Sequence, residues 1–212
     1  MANIAAKRKH YARHIAHYTK KNNVLIALGA LFIAGMILGA ITLRGAGYET
    51  VGLLERVVGG FITRRAQSGL YENAISAFGS SMLFVGVVFV SGFCAIAQPV
   101  IVLAPFIRGL GFGFSAASLY VRYGASAAGI VGVLMLPGML VSTVAILICC
   151  RQALRLSGTF FTAMRREAAK PGEPFSLRAY CFSHALAAGL CGLGAFLEAA
   201  LYVAFANSFV LG

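Results

Sequence analysis

Two ionisable side chains of this chain lie inside long apolar runs, Arg108 and Glu198. A charge surrounded by hydrocarbon is costly, and such residues face the interior of a helical bundle or a wet cavity. Both are therefore candidates for an intramembrane polar centre. On helices rising about 1.5 Å per residue, Arg108 lies about 12 Å from the inner edge of its span. Glu198 lies about 26 Å deep if its span begins at Cys181, and about 20 Å deep if it begins at Ala185. Only the second register leaves a gap that a long Arg side chain can close. Each residue is expected to find polar backbone, water or a lipid head group, with a direct pair as the alternative.

The other reactive residue types do not assemble into known chemistry. His184 has no acid near it in sequence, and Ser157, Ser176 and Ser183 lie in no nucleophile motif. The glycines from Arg108 to Gly113 resemble a phosphate loop, but no Gly-Lys-Ser follows and no strand precedes. Inside an apolar run they read as helix-packing residues. His10, His14 and His17 share a face at helical spacing, yet a metal site needs more ligands than these. Cys94, Cys149, Cys150, Cys181 and Cys191 all fall within or at the edge of apolar runs, with no CxxC, and read as small packing residues. The expectation is a chain without catalytic, cofactor-binding or metal-binding residues, and not an enzyme.

What must position Arg108 and Glu198 is a set of membrane helices. The 212 residues are 59% hydrophobic and 11% charged, against about 25% charged for a soluble domain. So few charges cannot coat a globular surface. The apolar runs are also long enough to cross a bilayer, which takes roughly 20 helical residues. The expected fold is all-α, a polytopic membrane protein with one transmembrane domain over residues 24–206 and spans at about 24–43, 77–97, 100–121, 125–150 and 181–205. Residues 1–23 form a basic N-terminal segment and 207–212 a short tail. Ala97-Gln98-Pro99 separates spans two and three, because proline cannot continue the helical ladder. Pro105 and Gly109 are expected to bend the third span, and Pro137-Gly138 to kink the fourth.

The net charge of +12 is not that of a nucleic-acid binder, because of where it lies. Twelve of the 18 Lys and Arg fall in residues 1–23 and 151–180, both flanking apolar runs. With a cytoplasmic N-terminus the inside segments hold 12 basic residues and the outside segments five. That asymmetry places the N-terminus inside and the C-terminus outside. In the first outside loop, residues 44–73, Leu54, Val57, Val58, Phe61 and Ile62 recur at helical spacing against Glu55, Arg56, Arg64 and Arg65. This predicts an amphipathic helix that lies on lipid or offers a partner face. Gly35 and Gly39 form a small-xxx-small surface, and Gly109 and Gly113 another, suited to close approach of helices.

Residues 99–157 resemble the stage II sporulation protein M family. The similarity rests on Pro99-Val-Ile-Val-Leu-Ala-Pro105, then Arg108-Gly-Leu-Gly-Phe-Gly-Phe114, then a glycine-containing loop from Gly124 leading to Leu136-Pro137. Arg108 stands where the family commonly has lysine, and Gly138-Met139 replaces its frequent Gln-Asn. The resemblance implies a non-enzymatic membrane scaffold in the engulfment step of endospore formation. The implied partners, besides membrane lipid, are stage II sporulation proteins D and P, which cut peptidoglycan. Self-association stays open. The competing reading from the residues is a permease-like subunit of a transport complex, given Arg108, Glu198 and helices broken by proline and glycine.

The orientation is testable with single cysteines in a cysteine-free background and an impermeant thiol reagent. Cysteine at position 165 is expected to stay unlabelled in intact cells and to react after permeabilisation. Labelling from outside would reverse the topology.

Overall fold

The structure, a computed structural model, describes residues 2–45, 70–124, 127–164 and 176–210. These residues are helical apart from short turns and contain no strand. Five helices form in chain order. They are α1 (Ala2–Gly45), α2 (Leu70–Gly92), α3 (Gln98–Tyr123), α4 (Ala127–Met164) and α5 (Leu177–Val210). Each contains a segment long and apolar enough to cross a membrane. This is the architecture of a multi-pass membrane domain. The amphipathic helix expected around Leu54 to Ile62 lies outside the described residues.

The helices do not stop where the apolar runs stop. α1 begins at Ala2 and carries a non-helical residue, Asn22 (φ −119°, ψ 17°), which separates the basic N-terminal stretch from the span Asn22–Leu43. α2 begins at Leu70 rather than 77, with Glu72 in its first turn, where a carboxylate complements the partial positive charge of the helix N-terminus. α4 runs to Met164 rather than 150, and α5 begins at Leu177 rather than 181. Hydropathy marks the bilayer, whereas a helix continues until its backbone groups find other partners.

The α2–α3 connection shows such partners. α2 ends at Gly92, five residues short of the expected Ala97, and tight turns follow through Phe93 N–H to Val90 O and Cys94 N–H to Ser91 O, both 3.1 Å. A side chain at position 92 would overlap the Tyr180 hydroxyl of α5. That hydroxyl instead donates to Phe89 O at 2.8 Å, and Ser157 of α4 donates to Cys94 O at 2.8 Å. Pro99 then sits in the first turn of α3, where its missing N–H removes nothing.

Pro137 meets its problem differently. In an α-helix its ring would press on the carbonyl four residues back. Ile130–Met135 winds as a π turn instead, and the Leu136 N–H bonds to Val131 O, five residues back. The disruption expected at Pro137-Gly138 is thus taken up by a wider turn just ahead of the proline.

α1 packs chiefly on α3, α4 on α5, and α2 on both α4 and α5. The main core joins Leu28, Val85, Val88, Ile101, Ile146, Cys149, Cys150, Ala153, Tyr180 and Cys191. A smaller cluster of Leu119, Ala127, Val131 and Leu134 closes the opposite end.

The α1–α3 seam is made by backbone. An added Cβ on Gly35 or Gly39 would overlap the carbonyl oxygens of Phe106 or Leu110, and one on Gly109 or Gly113 those of Phe32 or Met36. At Gly111, on the same helix, an added Cβ meets nothing within 4 Å. Leu at position 109 or 113 should therefore sharply lower the yield of folded protein, read as the monodisperse peak of a detergent extract. Leu at position 111 should leave it near wild type. Equal yields for all three variants would show that the seam does not hold α1 to α3.

Candidate functional site

Arg108 projects from α3 into the bundle and is held by three neighbours on two other helices. Its Nη2 donates to Ser81 Oγ of α2 at 3.0 Å and to Ser142 Oγ of α4 at 3.2 Å. Its Cζ lies 5.4 Å from the centre of the Phe84 ring, a cation–π distance. Both serines are buried. Each hydroxyl gives its own proton to its helix, Ser81 to Ala77 O and Ser142 to Met139 O. The oxygen lone pairs are thereby turned toward the guanidinium, which has only donors to offer. The serines thus act as a polar cradle for a cation at membrane depth.

Glu198 of α5 and Arg108 line one cavity of about 240 Å³ between α2, α3, α4 and α5. Its walls include Ser80, Phe84, Ile107, Phe112, Ser115, Met135 and Met139. Met135 ends the π turn, so the wider turn forms part of the wall. Neither charged side chain is isolated, since each makes further interactions. The depth of Glu198 is explained by where α5 begins. Tyr180 is level with Gly92, the C-terminal end of α2. Glu198 is 18 residues beyond Tyr180, or about 27 Å, close to the far limit of its span at Leu201.

Glu198 is brought there by a second close crossing. A Cβ on Gly138 would lie 2.6 Å from Gly194 O and 2.7 Å from the Glu198 Cβ, and one on Gly194 would lie 2.8 Å from Gly138 O. Position 138, read from sequence as part of a kink, also presents a bare backbone to α5.

At the other end, His184 and Tyr180 sit in an aromatic group with Phe89 and Phe93. The Tyr180 and His184 rings have centroids 4.2 Å apart, and Phe89 stacks on Tyr180 at 5.4 Å. His184 Nδ1 lies 3.0 Å from Tyr180 O, so that nitrogen carries the proton and donates it. His184 Nε2 and Thr143 Oγ1 are buried with no hydrogen-bond partner among the described residues. Cys149, Cys150 and Cys191 are buried free thiols, while Cys94 and Cys181 are exposed.

Sequence reasoning singled out the four seam glycines and the two charges; the structure places Gly35 and Gly39 against the Phe106 and Leu110 carbonyls of α3, Gly109 and Gly113 against the Phe32 and Met36 carbonyls of α1, and Arg108 and Glu198 in the wall of one cavity. It missed Ser81, Ser142, Gly194 and the Tyr180–Phe89 tie. For the first two the sequence offered only serines within apolar runs, with nothing local to pair them with Arg108. The stripe Leu54, Val57, Val58, Phe61 and Ile62 lies outside the described residues.

Comparison with protein-family models, with curated proteins and with solved structures gives no match to this chain. The likeness over residues 99–157 stands on the motif residues alone.

The cradle makes a coupled prediction. Ser81→Ala and Ser142→Ala should each destabilise the bundle by roughly 1 kcal/mol, the scale of a polar contact between membrane helices. In an Arg108→Leu background both serine substitutions should become nearly neutral. Unfolding of purified variants in mixed micelles measures this cycle. Equal losses with and without Arg108 would mean that the serines serve only their own helices.

Proposed function

We propose that this chain is a non-enzymatic membrane scaffold that positions peptidoglycan-degrading partners, stage II sporulation proteins D and P, during engulfment in endospore formation. The reading draws its partners from the resemblance around Pro99-Val-Ile-Val-Leu-Ala-Pro105 and Arg108 to Gly113. One structural observation supports it. The motif stretch is where the bundle is locked, since Gly109 and Gly113 seat the α3 backbone on α1 while Arg108 reaches α2 and α4. A transport cycle needs an element with two arrangements. Backbone contact at four glycines and a guanidinium tied to two helices favour one arrangement, which is what a platform requires.

In this reading the N-terminus and residues 151–180 lie in the cytoplasm of a cell-membrane protein, and the C-terminus lies outside. The basis is the distribution of 12 Lys and Arg against five. Peptidoglycan is outside, so the partner surface belongs to residues 44–73, with Leu54, Val57, Val58, Phe61 and Ile62 as the candidate face. A second reading, a permease-like subunit working with an ATPase, draws on the cavity that Arg108 and Glu198 share and on the π turn in its wall.

Co-purification with a tagged chain from sporulating cells separates these readings. The scaffold reading expects proteins D and P in the eluate, and their loss when Val58 and Phe61 are both replaced by Asp while membrane insertion is intact. Recovery of an ATPase with neither hydrolase would transfer the assignment to transport. Peptidoglycan digestion by the purified chain alone in lipid would refute a non-enzymatic role.

A further inference from the structure

The cavity holding Arg108 and Glu198 opens sideways. Ser80 of α2 and Ile107 and Gly111 of α3 line it, and all three are exposed on the lateral surface, Ile107 at 48%. Leu83 and Leu103, about one helical turn from Ser80 and Ile107 on the same two helices, are exposed as well, as lipid-facing residues are. Ala77 and Ser80 lie seven and ten residues from the start of α2, or about 10 and 15 Å along it. The opening is thus reachable from the membrane half in which α2 begins and Glu198 sits.

The lining is of two chemistries. Phe84, Phe112, Met135 and Met139 are apolar or soft, whereas Arg108, Glu198, Ser80 and Ser115 are polar. Ser80 and Ser115 donate to Ala77 O and Gly111 O, both at 2.9 Å, so their oxygens can still accept. A purely anionic guest would bring its charge beside Glu198, and a purely cationic one beside Arg108. Like charges at close quarters are unfavourable in a medium of low dielectric constant. A guest carrying both signs satisfies both side chains by inserting between them, whether or not they touch when the cavity is empty. The volume of about 240 Å³ has room for roughly eight water-sized groups at about 30 Å³ each.

We propose that this cavity is a binding site for a zwitterionic head group, an oxyanion directed to Arg108 and a primary ammonium to Glu198 and the serine oxygens, as in a phosphoethanolamine lipid entering between α2 and α3. The lateral mouth favours a lipid over a free zwitterion from solution, because the exposed large side chains around it, Ile107, Leu83 and Leu103, are apolar. The assignment is independent of the scaffold reading: it concerns what the bundle binds in its own membrane, and not which proteins it positions.

The test uses the full-length protein, delipidated in detergent and then offered phosphatidylethanolamine or phosphatidylglycerol with identical acyl chains, with bound lipid counted by native mass spectrometry. The wild type is expected to retain phosphatidylethanolamine about tenfold over phosphatidylglycerol, the scale of one hydrogen bond to a charged group. Glu198→Gln keeps the shape and removes the charge, and should bring that ratio to about one. Gly111→Leu places a side chain at the mouth, where a Cβ meets nothing within 4 Å. It should lose retained phosphatidylethanolamine while eluting as folded protein. Equal retention of the two lipids by the wild type would overturn the proposal, as would an unchanged ratio in Glu198→Gln. Displacement of the lipid by soluble phosphoethanolamine at comparable concentration would overturn the lipid source and assign the site to a free zwitterion.

Discussion

Helices immersed in hydrocarbon gain nothing by hiding leucine from it, so what holds this bundle is the places where atoms come closer than lipid can follow. The contact of α1 with α3 is the main one. Gly35, Gly39, Gly109 and Gly113 present no side chain where the two backbones meet, and carbonyl oxygens of each helix fill the gaps left on the other. Dispersion over such a surface needs no water to drive it. The crossing of Gly138 and Gly194 repeats the device between α4 and α5. Residues of α3 turned away from α1 are thereby directed at the remaining helices, which is how Arg108 comes to face α2 and α4.

Polar atoms then specify the arrangement that close packing permits. At the Tyr180 end, Ser157 and Tyr180 cap carbonyls released where α2 stops. Mid-bundle, the guanidinium of Arg108 meets two serines whose protons are already committed. Each tie crosses between helices far apart in sequence. Each also satisfies part of the hydrogen-bonding capacity of a polar group in a medium with no water. Their value lies as much in excluding other arrangements of five similar apolar rods as in net stability.

The number of spans and the separation at Pro99 were legible in sequence because both follow from one-dimensional properties, hydropathy and a missing N–H. The glycine pairs were legible as packing surfaces, although nothing in sequence says which helix Gly35 and Gly39 face. Helix ends were not legible. α4 continues 14 residues past 150 as Leu136–Met164 ends, since basic residues such as Arg151 and Arg155 are good helix formers outside lipid. The partners of Arg108 were hidden for another reason. Ser81 and Ser142 are 27 and 34 residues from it, and a serine in an apolar run has no local feature that distinguishes a ligand from a residue bonded to its own helix. The role of Gly138 was obscured by its neighbour Pro137, whose effect on the ladder is the louder signal.

The π turn at Ile130–Met135 has a bearing on how this chain tolerates changes of length. A turn closed by a bond five residues back accommodates one residue more than an α-turn. Deleting a single residue there would let α4 run as uninterrupted α-helix, at the cost of rotating everything on one side of the deletion by about 100° relative to the other. Leu134 and Val131 lie before the proline and Ser142 and Met139 after it, yet all four point inward. The extra residue therefore sets the phase between two halves of one helix. It keeps the face that meets α3 and α5 continuous across a proline that would otherwise displace it.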